Sequence, residues 1–229
     1  YLTEIFYLDA RIARIGEIKN HELQGGEKAV LSDFNVEIKD VCFSYQKDTQ
    51  VIRHASFTAE QGQVTALVGP SGCGKTTVTC AVLQALVNRK INVSSFKCGP
   101  DYIDPMFHKT VIGTAAYNLD TYLMSNDAVN YLLNKNSGDI AVIEGVMGFY
   151  DGFSFTEKGS THELSEITDT DVILVVNCRG MSLSAMALVK GFKEFRKNNI
   201  KGVIFNNLSE KMYGNLAEKC RKIGLTPLG

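Results

Sequence analysis

The chain has 229 residues, 45% of them hydrophobic, so it can bury one sizeable core. Its 24 basic and 25 acidic residues leave a formal net charge of -1, which argues against nucleic acid as a partner. The six cysteines form no C-x-x-C pair, and this favours a reducing, cytoplasmic location. No apolar run approaches the roughly 20 residues of a membrane helix, so we expect no membrane span in this chain.

The segment before the main core is predicted to contain two small units. Residues 1–32 place apolar side chains at near-helical spacing and then become polar and glycine-containing, which predicts an amphipathic helix and a linker. Residues 33–63 contain two stretches of alternating apolar and polar side chains, 34–45 and 51–59, around a turn-like segment. This pattern predicts an antiparallel β hairpin.

A phosphate-binding pattern stands at residues 69–76, where GPSGCGKT fits G-x-x-x-x-G-K-[ST] at every fixed position. An apolar run before it predicts a buried strand, and residues 77–87 predict the helix that should follow. Lys75 can reach the β and γ phosphates, and Thr76 can ligate Mg²⁺. A structural glycine-rich turn is the alternative, but it has no need of a Lys-Thr pair. The predicted nucleotide-binding residues are Gly69, Pro70, Ser71, Gly72, Cys73, Gly74, Lys75, Thr76 and Thr77.

The remainder of the chain alternates strand and helix patterns. Residues 64–229 are therefore predicted to form an α/β P-loop NTPase core with a mostly parallel, doubly wound sheet. Ligands of such sheets bind at the carboxyl ends of the strands. The predicted strands are 64–68, 93–96, 140–143, 172–176 and 202–205, and the predicted helices are 77–89, 127–134, 183–195 and 211–222.

Acidic side chains follow two of the predicted strands. Asp101 and Asp104 stand in a loop punctuated by Gly and Pro, and Glu144 stands at the tip of the next strand. Mg²⁺ takes oxygen ligands, so Thr76 with these three carboxylates is predicted to form a metal site. The alternative for each acid alone is a solvated loop residue. The four histidines are isolated in sequence and are expected to be structural or solvated, although His108 lies near the acidic loop.

Four longer motifs downstream of the loop point to a family. They read TTVTC at 76–80, FKCGPDYIDP at 96–105, EGVMGFYDG at 144–152 and RGMS at 179–182. With these motifs, residues 69–229 resemble the N-terminal synthetase domain of the cobyrinate a,c-diamide synthases, cobalamin-pathway amidoligases related to dethiobiotin synthetase.

The resemblance implies ATP-dependent amidation of peripheral carboxylates of cobyrinic acid through an acyl phosphate. The ammonia would come from glutamine through a glutaminase domain, and we expect this chain alone to need free ammonia. Whether the chain forms a homodimer stays open. In related synthetases an Asn at the position of Asn206 reads adenine, with turn formation as the alternative role. The implied catalytic residues are Asp101, Asp104 and Glu144, and the implied substrate-binding residues are Tyr102 and Asp151. Lys75 and Lys97 are also predicted to be catalytic, because phosphoryl transfer needs positive charge beside the phosphates.

A second resemblance covers residues 1–77. The segments VCFSY at 41–45 and VIRHASF at 51–57, together with the phosphate loop, resemble the start of the nucleotide-binding domain of an ATP-binding-cassette exporter. It implies that Tyr45 stacks on adenine, although an ordinary strand aromatic is the alternative. No cassette signature follows the loop. We therefore expect a chimera joined in the loop, incomplete at both ends, with ATP-driven transport as the alternative function.

Overall fold

A computed structural model of this protein describes residues 36–46, 49–59 and 62–229. The predicted helix within residues 1–32 lies outside these ranges. Strands β1 (Val36–Gln46) and β2 (Thr49–Ala59) pair antiparallel in a two-stranded sheet of their own, which confirms the predicted hairpin. Within the described ranges, no helix has the length and the apolar character needed to cross a bilayer.

A parallel sheet of seven strands forms the centre of the protein, in the order β5-β4-β6-β3-β7-β8-β9. The interior strands β6 and β7 read as nearly continuous apolar runs because helices cover both faces, whereas β4 also carries polar side chains. This confirms the predicted α/β class and the doubly wound sheet. The strands are β3 (Val64–Val68), β4 (Val93–Cys98), β5 (Ala115–Leu119), β6 (Ile140–Glu144), β7 (Asp171–Asn177), β8 (Ile200–Asn206) and β9 (Thr226–Pro227).

The helices divide between the two faces of this sheet. Leu83 of α1 packs in one core with Leu67, whereas Leu164 of α4 packs in the opposite core with Ala66 and Val68. Consecutive residues of β3 thus enter different cores, as the pleat of a strand requires. The helices are α1 (Lys75–Asn88), α2 (Ile103–Phe107), α3 (Asn126–Asn136), α4 (Thr161–Ile167), α5 (Ser184–Phe195) and α6 (Glu210–Lys222), with a π-helical turn at His108–Ile112 and a 3-10 turn at Phe153–Phe155.

The sequence patterns missed β5, β9, α2 and α4. Strand β5 is short and pairs only with β4 within the described sheet, and its residues alternate between exposed and partly exposed until Leu119. It therefore carries no apolar run. Helix α4 has only seven residues and begins after Ser160, whose hydroxyl accepts a hydrogen bond from the backbone N–H of Glu163 at 3.1 Å. Such a cap stabilises the first turn of a short helix.

Candidate active site

The phosphate-binding loop connects β3 to α1, and its glycines are needed because neighbouring groups approach closely. A Cβ on Gly69 would clash with the carbonyl oxygen of Val175, and one on Gly74 would clash with the amide of Asn206. Gly74 also has a φ of 89°, which other residues rarely adopt. Helix α1 starts at the next residue with no acidic side chain in its first turn, so its free N–H groups suit an anion.

Lys75 and Thr76 turn towards the end of β6. The Lys75 ammonium donates a hydrogen bond to the carbonyl oxygen of Met147 at 2.7 Å, and the side chain is 9% exposed. Burial lowers the pKa of Lys75. The hydroxyl of Thr76 donates to Oε1 of Glu144. The residue that the motif assigns to metal therefore contacts the last residue of β6, and the one it assigns to phosphate contacts the loop that follows.

The three predicted acids converge on the ammonium of Lys97. Its Nζ lies 2.6 Å from Oδ2 of Asp104, 3.1 Å from Oε1 of Glu144 and 3.7 Å from Oδ2 of Asp101. Lys97 also donates to the carbonyl oxygen of Gly145 at 3.3 Å. The sequence predicted these carboxylates around one cation, and the nearest positive charge to them in the structure is this side chain.

Burial and charge set the ionisation of this cluster. Burial lowers the pKa of Lys97, but the carboxylates of Glu144 and Asp104 reverse this effect and leave it above its ordinary value. Burial raises the pKa of Asp104, yet contact with Lys97 holds it below its ordinary value. Burial raises the pKa of Glu144 despite the opposing effects of Lys97 and Thr76. The Lys97 ammonium is therefore the fixed positive charge of the site.

Strand register explains why this cluster forms. The Cα of Glu144 pairs with that of Lys97 on one side and with that of Leu67 on the other. Since the three strands are parallel, their carboxyl ends meet at one edge of the sheet. Asp104 comes from α2, directly after the β4 loop.

The acidic loop is held from β5 by Asn118, a residue that the sequence patterns did not single out. Its amide nitrogen donates to the carbonyl oxygens of Gly99 at 2.8 Å and Asp101 at 2.7 Å. Oδ1 of Asp101 in turn accepts from the backbone N–H of Ile103 at 2.9 Å, which starts α2. The loop conformation therefore depends on a strand that the apolar patterns did not reveal.

His108 is fully buried, which fits the structural and not the solvated alternative for this residue. Its Nδ1 lies 2.7 Å from Oγ of Ser95, and its Nε2 lies 3.5 Å from Oε2 of Glu144. Burial lowers the pKa of His108. Ser95 stands two residues before Lys97 on β4, so both side chains leave the same face of the strand.

The predicted substrate-binding residues Tyr102 and Asp151 lie in the segments that follow β4 and β6. Tyr102 is 81% exposed at the start of α2. Asp151 instead turns back onto its own loop, where Oδ2 accepts from the backbone N–H of Gly148 at 3.1 Å. A Cβ at Gly148 would clash with that carboxylate, so glycine permits the contact.

Asn206 lies beneath the phosphate loop. Its amide nitrogen donates to the carbonyl oxygen of Cys73 at 2.8 Å, and its Oδ1 accepts from the backbone N–H of Asn207 at 3.0 Å. Both ends of the amide are thus used within the protein, and a role towards adenine stays a prediction. Tyr45 lies on β1, where its side chain is outside the described part of the structure.

A metal ion at this edge would need oxygen donors from more than the protein. From residue 62 onward, no three His, Cys, Asp or Glu side chains are arranged to hold a metal. The Thr76 hydroxyl and the Glu144 carboxylate are nonetheless hard oxygen donors in contact with each other, and phosphates at the loop would add more. These two residues fit Mg²⁺, whereas Asp101 and Asp104 do not contact Thr76 and, like Glu144, lie against Lys97. The metal role of all four stays a prediction.

Comparison with known proteins identifies the family. The family model described as "CobQ/CobB/MinD/ParA nucleotide binding domain" matches residues 64–227. The chain belongs to this family. The resemblance of residues 1–77 to a cassette exporter finds no support in this comparison or in those with individual proteins.

Comparison with individual proteins gives more specific matches within this family. The chain is 46% identical to the cobyrinate a,c-diamide synthase of Thermoplasma volcanium over 151 residues, which cover 65% of this chain and 33% of the relative. It is also 46% identical over 147 residues to that of Clostridium acetobutylicum, covering 64% of this chain and 34% of the relative. The chain therefore spans about a third of the length of these relatives.

Solved structures share the fold alone. Chloroplast FtsY from Physcomitrella patens aligns with a TM-score of 0.55 and 14% identity, over 75% of this chain and 60% of that one. The signal recognition particle receptor FtsY from Elizabethkingia anophelis aligns with a TM-score of 0.54 and 14% identity, over 74% and 58% respectively.

Proposed function

We propose that this chain is the nucleotide-binding and phosphoryl-transferring part of an ATP-dependent amidoligase that acts on cobyrinic acid. The observation that carries the proposal is the shared contact at Oε1 of Glu144. This atom accepts from the Thr76 hydroxyl and lies 3.1 Å from the Lys97 ammonium. Because Lys97 also contacts Asp104, Glu144 and Lys97 connect the phosphate-binding loop to the acidic loop, as transfer of a phosphoryl group from ATP to a carboxylate requires.

The substrate carboxylate is activated first, because a free carboxylate is a poor acceptor for ammonia. One of its oxygens attacks the γ phosphorus of ATP, the bond from that phosphorus to the bridging oxygen breaks, and ADP leaves. Ammonia then attacks the acyl carbon of the resulting acyl phosphate. The C–O bond breaks, inorganic phosphate leaves and takes a proton, and the amide remains.

The residues of the site position and neutralise charge during these steps. Lys75 exchanges its contact with the Met147 carbonyl for the β and γ phosphates, which are stronger acceptors. Lys97 is held in place by Asp104 and Glu144 and offsets charge where the two reactants meet. Mg²⁺ held by Thr76, Glu144 and phosphate oxygens would neutralise further charge on the transferring group.

Tyr102 and Asp101 are proposed to contact the acceptor, cobyrinic acid. Tyr102 is exposed in the acidic loop, between Asp101 and Asp104, where it can pack on a large flat molecule. Asp101 is partly exposed and stands farther from Lys97 than Asp104 does, which suits contact with substrate. Asp151 contributes by fixing the loop that also carries Met147.

Phosphate release from ATP tests the proposal. The purified chain is assayed with Mg²⁺ and ammonium chloride, with and without cobyrinic acid, so that the outcome does not depend on how nitrogen reaches the site from glutamine. We expect cobyrinic acid to stimulate release and Glu144→Gln to suppress it while ATP stays bound. Glu166→Gln, an exposed acid on α4, is the matched control and should behave like the unaltered chain. Absence of stimulation in a chain that binds ATP would refute the proposal.

A further inference from the structure

Two buried polar atoms beside the site lack a hydrogen-bond partner among the described residues, and they face each other. They are Nε2 of His108 and Oε2 of Glu144, 3.5 Å apart, and both side chains are 0% exposed. Buried polar groups in proteins are almost always paired, so two adjacent exceptions call for a joint explanation. A small approach of the imidazole would convert the contact into a hydrogen bond.

The proton of the imidazole can be assigned from the partners of its two nitrogens. Nδ1 lies 2.7 Å from the Ser95 hydroxyl, which can donate to it. Nε2 then carries the proton and points it at the Glu144 carboxylate, which can only accept. The opposite tautomer would leave an acceptor facing an acceptor. The Glu144 carboxylate thus selects the one arrangement in which both unpaired atoms are satisfied, and the Ser95 hydroxyl, which can donate or accept, supports it by donating to Nδ1.

Glu144 then uses its two oxygens for two different purposes. Oε1 faces the reacting groups through Thr76 and Lys97, while Oε2 faces His108 behind them. The terminal torsion of a Glu side chain has broad, shallow minima, so the backbone alone does not set this division. A donor behind Oε2 would hold Oε1 towards the phosphate-binding loop.

The local backbone connects this histidine to the acidic loop. The N–H of His108 donates to the carbonyl oxygens of Asp104 and Pro105, so Asp104 and His108 stand one helical turn apart. Their side chains therefore leave the same side of the turn, one towards Lys97 and the other towards Glu144. His108 also opens a π-helical turn, a distortion often found at functional sites.

We propose that Ser95 and His108 are positioning residues that fix the carboxylate of Glu144 for its work at the phosphate-binding loop. This positioning role depends on the proposed function in one respect, which is that Glu144 takes part in the ATP-dependent reaction. Groups that hold a metal-facing carboxylate from behind typically contribute about 10-fold to 100-fold to metal affinity or activity. The expected role concerns the Mg²⁺-dependent part of nucleotide binding, which can be measured without any corrin substrate.

The decisive experiment compares three variants at this position by titration with ATP, with and without Mg²⁺. His108→Leu removes the donor, His108→Gln places an amide N–H where Nε2 stood, and Ser95→Ala removes the hydroxyl that pairs with Nδ1. We expect His108→Leu to raise the Mg²⁺ concentration for half-maximal binding about 10-fold, with metal-free ATP affinity unchanged. His108→Gln should recover most of this loss, and Ser95→Ala should give a smaller shift in the same direction.

Two controls separate positioning from general destabilisation. His162→Gln alters another buried histidine, on α4, and should leave the Mg²⁺ requirement unchanged. In a Glu144→Gln background, His108→Leu should have no further effect, because it acts through the carboxylate. Equal effects of Leu and Gln at residue 108, or a full effect in the Glu144→Gln background, would overturn the proposal. If His108→Leu does not fold, the Ser95→Ala variant tests the proposal alone, and an unchanged Mg²⁺ requirement in that variant refutes the proposal.

The outcome is separate from that of the proposed function. A shifted Mg²⁺ requirement with no stimulation by cobyrinic acid would retain the positioning role and reject the substrate. Stimulation by cobyrinic acid with an unshifted Mg²⁺ requirement in all three variants would retain the substrate and reject the positioning role.

Discussion

Lys97 and Glu144 stand side by side at the carboxyl ends of β4 and β6, with Cα atoms in register and 3.1 Å between Nζ and Oε1. Lys97 is 4% exposed and Glu144 is 0% exposed, so this ion pair is largely removed from water. Removing one partner of such a pair leaves the other charged and buried. The contact therefore serves the stability of the fold as well as the site.

Lys97→Met should destabilise the protein by about 3–5 kcal/mol, because Glu144 and Asp104 lose their shared counter-charge. Urea unfolding followed by circular dichroism measures the change. Glu144→Gln added to Lys97→Met should recover part of the loss, since the buried anion is then removed too. An additive loss in the double variant would show that the two side chains do not interact energetically.

Lys75→Ala should abolish measurable ATP binding. The loop loses its only side-chain charge for the β and γ phosphates, while the free protein gives up a single hydrogen bond to the Met147 carbonyl. Titration calorimetry with ATP gives the affinity. Lys190→Ala, an exposed lysine on α5, is the control and should bind normally. Unchanged affinity in Lys75→Ala would remove the premise that this loop holds nucleotide.

The sequence predicted the part of the site that strand ends and motifs reveal. Lys97, Asp104 and Glu144 follow apolar strands, and parallel strands bring such residues to one edge. His108 could not be assigned, because its partner Glu144 lies far along the chain and the short helix α2 that ends just before it has no apolar periodicity. The polar Ser95 inside a buried strand was the available signal, since a hydroxyl there needs a partner.

The predicted division of the chain at residues 33–63 stays untested. Strands β1 and β2 pair with each other in a separate two-stranded sheet, whereas the seven-stranded sheet begins at β3. Deleting residues 1–60 should therefore leave a core that unfolds cooperatively. Thermal unfolding by calorimetry is the measurement. A broad, non-cooperative transition in the shortened chain would mean that the N-terminal segment belongs to the same core.

Four of the five described cysteines, Cys80, Cys98, Cys178 and Cys220, should react slowly in the folded protein. Burial raises the pKa of Cys80 to about 12 and those of Cys98, Cys178 and Cys220 to about 11, from an ordinary value of 9.0. Only the thiolate reacts, so modification by a disulfide reagent at pH 8 should be fast for all six cysteines in denaturant and slow for these four in the native state.

The same pKa shifts predict how the free energy of unfolding changes with pH. Unfolded thiols ionise near pH 9 while the buried thiols remain neutral, so their contribution to stability is complete below pH 9 and is lost as the pH rises through the folded pKa values near 11. Cys178→Ala should weaken the fall in unfolding free energy between pH 9 and 11. An unchanged slope in that variant would contradict the assignment.

The fate of a substrate oxygen tests the central claim most directly. Cobyrinic acid labelled with ¹⁸O in its carboxylates is incubated with the chain, ATP, Mg²⁺ and ammonia, and the released phosphate is analysed by mass spectrometry. If the carboxylate attacks the γ phosphorus and ammonia then displaces phosphate, each phosphate formed with an amide carries one labelled oxygen. Unlabelled phosphate, formed at the same rate with or without the corrin, would mean that water is the acceptor and would contradict the amidoligase account.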